Sequence, residues 1–302
     1  MSEASNGDST VLTRAGPGGT SFSAPLHGRS GPLVVCLHGF PDLPGTFAPL
    51  IEPLRAAGYR VLVPTLRGYE RSSVHASGSY HVRSLAEDIL GWLDHLGEPS
   101  ASLVGHDWGA VAGWGAVASA PHRFRAFVSL AIPHAGAFLR RLPLHPRQWL
   151  NSGYILFFQL PLLPGWALSD RRGQLVRRLW RDWSPGWEPP ERHVNEVVAR
   201  LSDPVIGEAA LGYHRCLARL WEAPNRELLP LLMPPPRVPV LALSGERDGC
   251  IRPEFFRACM ASVDAPAGPE HRVVRGAGHF MHLEAPAAVL EQVLPFLRRW
   301  SG

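Results

Sequence analysis

The stretch Gly105-His106-Asp107-Trp108-Gly109 decides how this 302-residue chain is read. It follows the triplet Ser102-Leu103-Val104 and opens a run rich in Ala and Gly. The brief apolar run predicts a buried strand, and the run after it predicts a helix over residues 108–120. Small residues two before and two after a central side chain permit a tight strand-to-helix turn. Such a turn lifts the central side chain out of the sheet, beside free backbone N–H groups. The lifted residue is Asp107, and no G-x-S-x-G occurs anywhere in the chain. Considered alone, Asp107 reads equally well as the cap of the helix.

Outward from this turn, short apolar runs alternate with helical patterns. Toward the N-terminus, Leu33–Leu37 (LVVCL) reads as a strand, residues 47–57 as a helix closed by Gly58, and residues 60–64 as a strand. Residues 82–96 carry Leu85, Ile89, Trp92, Leu93 and Leu96 at helical spacing, and Gly97 ends them. Toward the C-terminus come strands at 126–131, 238–243 and 271–274, and helices at 254–261 and 285–300. This alternation implies an α/β fold, a mostly parallel sheet flanked by helices on both faces.

The alternation stops between residues 134 and 236. That stretch has helical character broken by prolines, and it holds six of the ten tryptophans: Trp149, Trp166, Trp180, Trp183, Trp187 and Trp221. We read residues 134–236 as an inserted helical cap. Residues 21–133 and 237–302 form one core, and residues 1–20 a flexible N-terminus.

Composition excludes several chemistries. All 30 basic residues are Arg and none is Lys, so Schiff-base, pyridoxal-lysine, P-loop and kinase chemistries are out of reach. The net charge of +4 comes with an Arg-for-Lys bias that a GC-rich genome produces, so no nucleic-acid partner is implied. The four cysteines form no C-x-x-C pair, which points to reduced thiols and a cytoplasmic setting. Residues 1–19 lack the basic start and apolar stretch of a signal peptide. The greasiest segment, residues 154–168, contains Gln, Pro and Gly and falls short of the ~20 apolar residues of a membrane span. No stable membrane insertion is expected. His279, His282 and Glu284 have no H-E-x-x-H context, so no metal site is expected either. The basic run at residues 171–181 reads as the solvated face of a cap helix.

Two more signals join Asp107. His38-Gly39-Phe40-Pro41 directly follows LVVCL. A loop there aims a backbone N–H at the turn, making an oxyanion hole from the amides of Phe40 and Trp108. Asp248, in GERDG, and His279, in GAGHF, each lie just past a predicted strand, at the sheet edge where open parallel sheets bind ligands. Chain order is therefore nucleophile, acid, base.

Together these motifs resemble the α/β-hydrolase fold, and most closely its epoxide hydrolase family, over nearly the whole chain. The resemblance implies a cis Phe40-Pro41 peptide and a cofactor-independent hydrolysis of a small hydrophobic epoxide by water. It assigns Asp107 as the nucleophile that forms an alkyl ester, and His279, oriented by Asp248, as the base that activates water. The family uses two cap tyrosines to donate to the opened ring. Tyr154 matches the first. Aligned on Arg215, the second falls on His214, with Tyr213 as the fallback. Two alternatives stand beside this reading. One is a haloalkane dehalogenase, which usually has Asn at the position of Phe40. The other is a non-catalytic ligand-binding protein of the same fold. A monomer or homodimer is expected.

Overall fold

The computed structural model describes residues 9–263 and 269–301. Its strands are β1 (Ser9–Ala15), β2 (Ser21–His27), β3 (Leu33–Leu37), β4 (Arg60–Leu62), β5 (Ala101–His106), β6 (Phe124–Leu130), β7 (Val240–Gly245) and β8 (Glu270–Val274). They form one sheet in the order β1-β2-β4-β3-β5-β6-β7-β8. From β4 to β8 the pairs are parallel, and β1 and β2 add an antiparallel edge.

The central strands β3, β5 and β7 are buried at every residue, which is why they read as unbroken apolar runs. Alternate side chains face opposite layers. Val35 and Leu37 join a core with Trp92 of α2 (Val82–Leu96) and Trp114 of α3 (Trp108–Ser119), introduced after α1 (Ala48–Ala56). Val34 and Cys36 join a second core with Leu50 of α1 and with Val293.

Between β6 and β7 the chain forms α4 (Ala135–Arg141), α5 (Pro146–Asn151), α6 (Gly153–Phe158), α7 (Leu163–Ser169), α8 (Gln174–Trp183), α9 (Glu191–Leu201), α10 (Pro204–Ala218) and α11 (Ala223–Leu232). The helices α12 (Pro253–Met260), α13 (Met281–Glu284) and α14 (Pro286–Arg299) complete the chain. The predicted core elements appear within a few residues of their expected bounds.

The N-terminus departs from expectation. Residues 1–8 lie outside the described residues, but Ser9–Ala15 is a strand and not a flexible leader. It pairs with β2 from Ser9 opposite His27 to Ala15 opposite Ser21. Its anchor is Arg14, whose guanidinium meets Asp88 at 3.2 Å and lies 4.4 Å from the Phe22 ring centroid. A largely exposed edge strand held by a buried Arg carries little apolar periodicity to read.

The loops after β3, β5, β7 and β8 leave the same edge of the sheet. They bring Phe40, Asp107, Asp248 and His279 to one end, the usual ligand edge of a parallel sheet. Among the described residues, no helix is long and apolar enough to cross a membrane.

Candidate active site

Asp107 sits at φ 49°, ψ −119°, a strained conformation for a residue with a Cβ. Its neighbours make the turn possible. A Cβ on Gly105 would come 2.6 Å from the Gly109 carbonyl oxygen, and one on Gly109 would collide with the Leu37 carbonyl. On Gly39 it would lie 2.5 Å from Asp107 Oδ1. The turn exists because backbone packs where side chains would otherwise stand.

The two carboxylate oxygens of Asp107 have different surroundings. Oδ1 accepts the Phe40 N–H at 2.8 Å, next to a cis Phe40-Pro41 peptide. Oδ2 faces His279 Nε2 at 3.6 Å, the span of an ion pair, longer than a hydrogen bond. Trp108 begins α3, where first-turn N–H groups have no partner inside the helix and the dipole favours an anion. His38 is buried and braces the loop: its Nδ1–H donates to the Gly39 carbonyl at 3.0 Å, and its Nε2 accepts the Leu66 N–H at 3.1 Å.

On its other side His279 Nδ1 donates to Asp248, 3.0 Å from Oδ2 and 3.2 Å from Oδ1. Asp248 Oδ1 also accepts the N–H groups of Cys250 at 2.8 Å and Ile251 at 2.9 Å, so the carboxylate cannot swing. Burial pushes the His279 pKa down, but the charge of Asp248 and the contacts with Asp107 overcome it and raise it to about 10. Burial pushes Asp107 up, and the His279 contact, the nearby imidazoles and the Phe40 N–H outweigh this and hold its carboxyl below the ordinary value. The resting pair is therefore imidazolium and carboxylate.

A cavity of about 130 Å³ opens above Asp107. Its walls are mainly apolar, from α3 and the helical insertion, and its polar members include Asp107, Trp108, Tyr154 and His214. Tyr154 packs against Trp183 and its hydroxyl lies 3.7 Å from Cys250 Sγ. Burial first, then the nearby Cys250 and Asp107, keeps the phenol well above its ordinary pKa and hence protonated.

His214 faces the cavity, while Tyr213 turns away and donates its hydroxyl to the Arg67 carbonyl at 2.5 Å. The Trp108 indole N–H donates to His214 Nε2 at 3.0 Å. Nε2 is therefore an acceptor, and the ring proton sits on Nδ1, near the Ala210 carbonyl but without a well-formed hydrogen bond. Burial lowers the His214 pKa to about 4, so the ring is neutral.

Sequence reasoning missed three participants. Cys250 adjoins the Tyr154 hydroxyl. The Trp183 carbonyl accepts the N–H groups of His279 at 3.1 Å and Gly249 at 3.0 Å, and the Trp183 ring stands on His279. Ser184 donates to Glu284 at 2.5 Å and accepts from the Phe280 N–H at 3.2 Å, tying the end of α8 to the histidine loop. None carries a local motif, because each acts through a contact between distant segments.

Near Asp107 and His279, Asp42, His106 and His282 bring one polar atom each to within 4.8 Å of one another. His106 Nε2 donates to the His279 carbonyl at 3.0 Å, and His282 Nε2 meets Thr46 Oγ1 at 2.6 Å. His193 donates to Asp42 at 2.6 Å, and although burial opposes it, this carboxylate raises the His193 pKa. Asp42 is the one carboxylate of the three, and its Oδ1 is already held by His193, so a divalent cation there would meet a single shared anion.

Residues 32–286 match the family model for the alpha/beta hydrolase fold. The chain is 31% identical to an AB hydrolase superfamily protein, YfhM, of Bacillus subtilis, across 89% of this chain and 91% of that one. It is 30% identical to epoxide hydrolase A of Mycobacterium tuberculosis, across 88% and 90%. In three dimensions it superposes on epoxide hydrolase A of Mycobacterium thermoresistibile with a TM-score of 0.79, at 28% identity, covering 96% and 98%. Fold and matches together define a hydrolase, and the chain belongs to the α/β-hydrolase fold family, in its epoxide hydrolase-like branch.

Proposed function

We propose that this protein hydrolyses a small hydrophobic epoxide to a vicinal diol through a covalent ester on Asp107. The observation that carries the reading is the pair of environments around Asp107. The Phe40 N–H fixes one oxygen, and the Asp248-backed His279 faces the other.

Asp107 Oδ2 attacks a ring carbon, the carbon–oxygen bond breaks, and the alkoxide takes the Tyr154 proton. Ester formation removes the negative charge of Asp107. His279 then keeps one carboxylate partner of two, its pKa falls, and its proton passes to the tyrosinate. Neutral His279 next takes a proton from water. The hydroxide adds to the ester carbon, and the amides of Phe40 and Trp108 hold the oxyanion. Collapse returns the Asp107 carboxylate and His279 imidazolium and releases the diol, whose second oxygen keeps the remaining water proton. This chemistry calls for no cofactor and no metal.

His214, with its ring proton on Nδ1, on the side of the Ala210 carbonyl, donates from Nε2 only by gaining a proton there and displacing Trp108. With a pKa near 4 that form is rare at neutral pH, so Tyr154 carries ring opening. The same hydrogen bond favours the epoxide reading over a dehalogenase, because the indole N–H that would hold a halide is already taken. The cavity lies well under the ~300–1,000 Å³ typical of drug-sized sites, which suits a small substrate.

The test is a single turnover of styrene oxide by excess enzyme in ¹⁸O-water. An ester route leaves label in the peptide containing Asp107 and delivers unlabelled oxygen to the first diol. Label in the diol with none in Asp107 overturns the covalent step. Binding without turnover would instead make the protein a receptor.

A further inference from the structure

We propose that the outer face of α5–α7 seats this protein on an anionic lipid bilayer. Among the described residues, half of the exposed large apolar side chains fall within residues 144–166, including Leu150 (82% exposed), Leu162 (83%) and Trp166 (78%). Packing does not explain them. Both α6 and α7 pack on α10, so what they leave exposed lies on the far side. Isolated exposed leucines are ordinary, but a cluster of this density with two exposed tryptophans, Trp149 and Trp166, marks an interaction surface.

Charge selects the occupant. Residues 139–169, which carry the exposed apolar cluster, contain three Arg and no Asp or Glu, and the first acid after them is the half-buried Asp170. Arg147, Arg171 and Arg172, which border the apolar cluster in sequence, are exposed and make no ion pair among the described residues. A second copy docking through a two-fold axis would oppose the same three arginines, with Glu208 and Glu254 already paired to Arg215 and Arg252 and Asp170 half-buried. An anionic bilayer takes the apolar side chains below its headgroups and answers the arginines with phosphates. The seat is peripheral, since no described helix is long and apolar enough to span.

The face adjoins the cavity. Tyr154 and Ile155 of α6 line it while Leu156, the next residue, is exposed. Leu139 both lines the cavity and reaches solvent. Resting on the epoxide reading, this arrangement admits a lipophilic substrate straight from the bilayer.

The test needs no substrate, so it stands or falls apart from the reaction. The full chain is sedimented with vesicles of phosphatidylglycerol and, separately, of phosphatidylcholine. We expect binding to the first, with at least ~tenfold weaker partition to the second and on addition of salt. Leu150→Ser/Leu162→Ser/Trp166→Ser and Arg147→Glu/Arg171→Glu/Arg172→Glu should each lose at least ~tenfold of that binding at unchanged melting temperature, because the replaced side chains are exposed. The charge-reversal variant leaves every apolar residue in place and guards against misfolding of the first. No binding to phosphatidylglycerol overturns the proposal, as does equal binding to both lipids. It also fails if sedimentation velocity finds a dimer that the serine variant dissociates.

Discussion

The indole N–H of Trp108 donates to Nε2 of His214 across 3.0 Å, which makes the histidine an acceptor at that nitrogen. At pH 7 a pKa near 4 leaves roughly one His214 ring in a thousand protonated. Tyr154→Phe should therefore cut kcat by ~10²-fold or more, the usual worth of a positioned acid. His214→Phe should cost less than ~tenfold. Steady-state kinetics on an aryl epoxide checks both. An equal loss in the two variants would make His214 a donor after all.

His279 faces Asp107 and Asp248 at once, and only the first loses its charge during the reaction we propose. His279→Gln should form the ester and then stall, since no base remains to activate water. Mass spectrometry of the Asp107 peptide should find it heavier by one substrate molecule after a burst of about one equivalent per enzyme. A variant that turns over repeatedly would remove His279 from the hydrolytic step.

Stability should peak near pH 6.5, with different groups shaping the two sides. His279 has its folded pKa raised to about 10 from 6.5, so its contribution is whole below 6.5 and fades as pH climbs toward 10. Burial lowers His38, His106, His134 and His214 from 6.5 to about 4. The unfolded chain binds protons at these four first, so stability falls as pH drops from 6.5 toward 4. Melting temperatures measured across pH 4–10 should trace this dome, and His279→Gln should flatten the alkaline limb alone. A wild-type protein steadily more stable up to pH 10 would contradict the raised His279 pKa.

Gly109→Ala should destabilise more than a surface substitution by several kcal/mol, of order ~3 kcal/mol, because its Cβ meets the Leu37 carbonyl in the centre of the sheet. Gly39→Ala presses instead on Asp107 itself, 2.5 Å from Oδ1. It should lose activity out of proportion to its loss of melting temperature. Calorimetry beside single-turnover kinetics separates the two effects.

Much of this was legible in local sequence. Strands that are buried on both faces must be apolar throughout, so LVVCL announced itself as β3. A helix with one buried face must repeat its apolar residues, so residues 82–96 read as helix and form α2 over that same span. The glycines around Asp107 marked a turn that tolerates no Cβ, and chain order placed Asp248 and His279 past their strands. The edge strand Ser9–Ala15 escaped because its partner is a distant segment and its anchor a buried Arg.

Sequence by itself thus determined the six parallel strands, the turn at Asp107 and the residue types at its edge, because those follow from burial and backbone geometry within short windows. Tertiary structure alone decided which way neighbours on one helix point. Tyr213 and His214 differ by a single step of α10, yet one hydroxyl is spent on the Arg67 carbonyl and the other ring meets Trp108 at the cavity beside Asp107. That choice depends on how the helical insertion rests on the sheet, and such packing between segments a hundred residues apart leaves no mark on the local pattern.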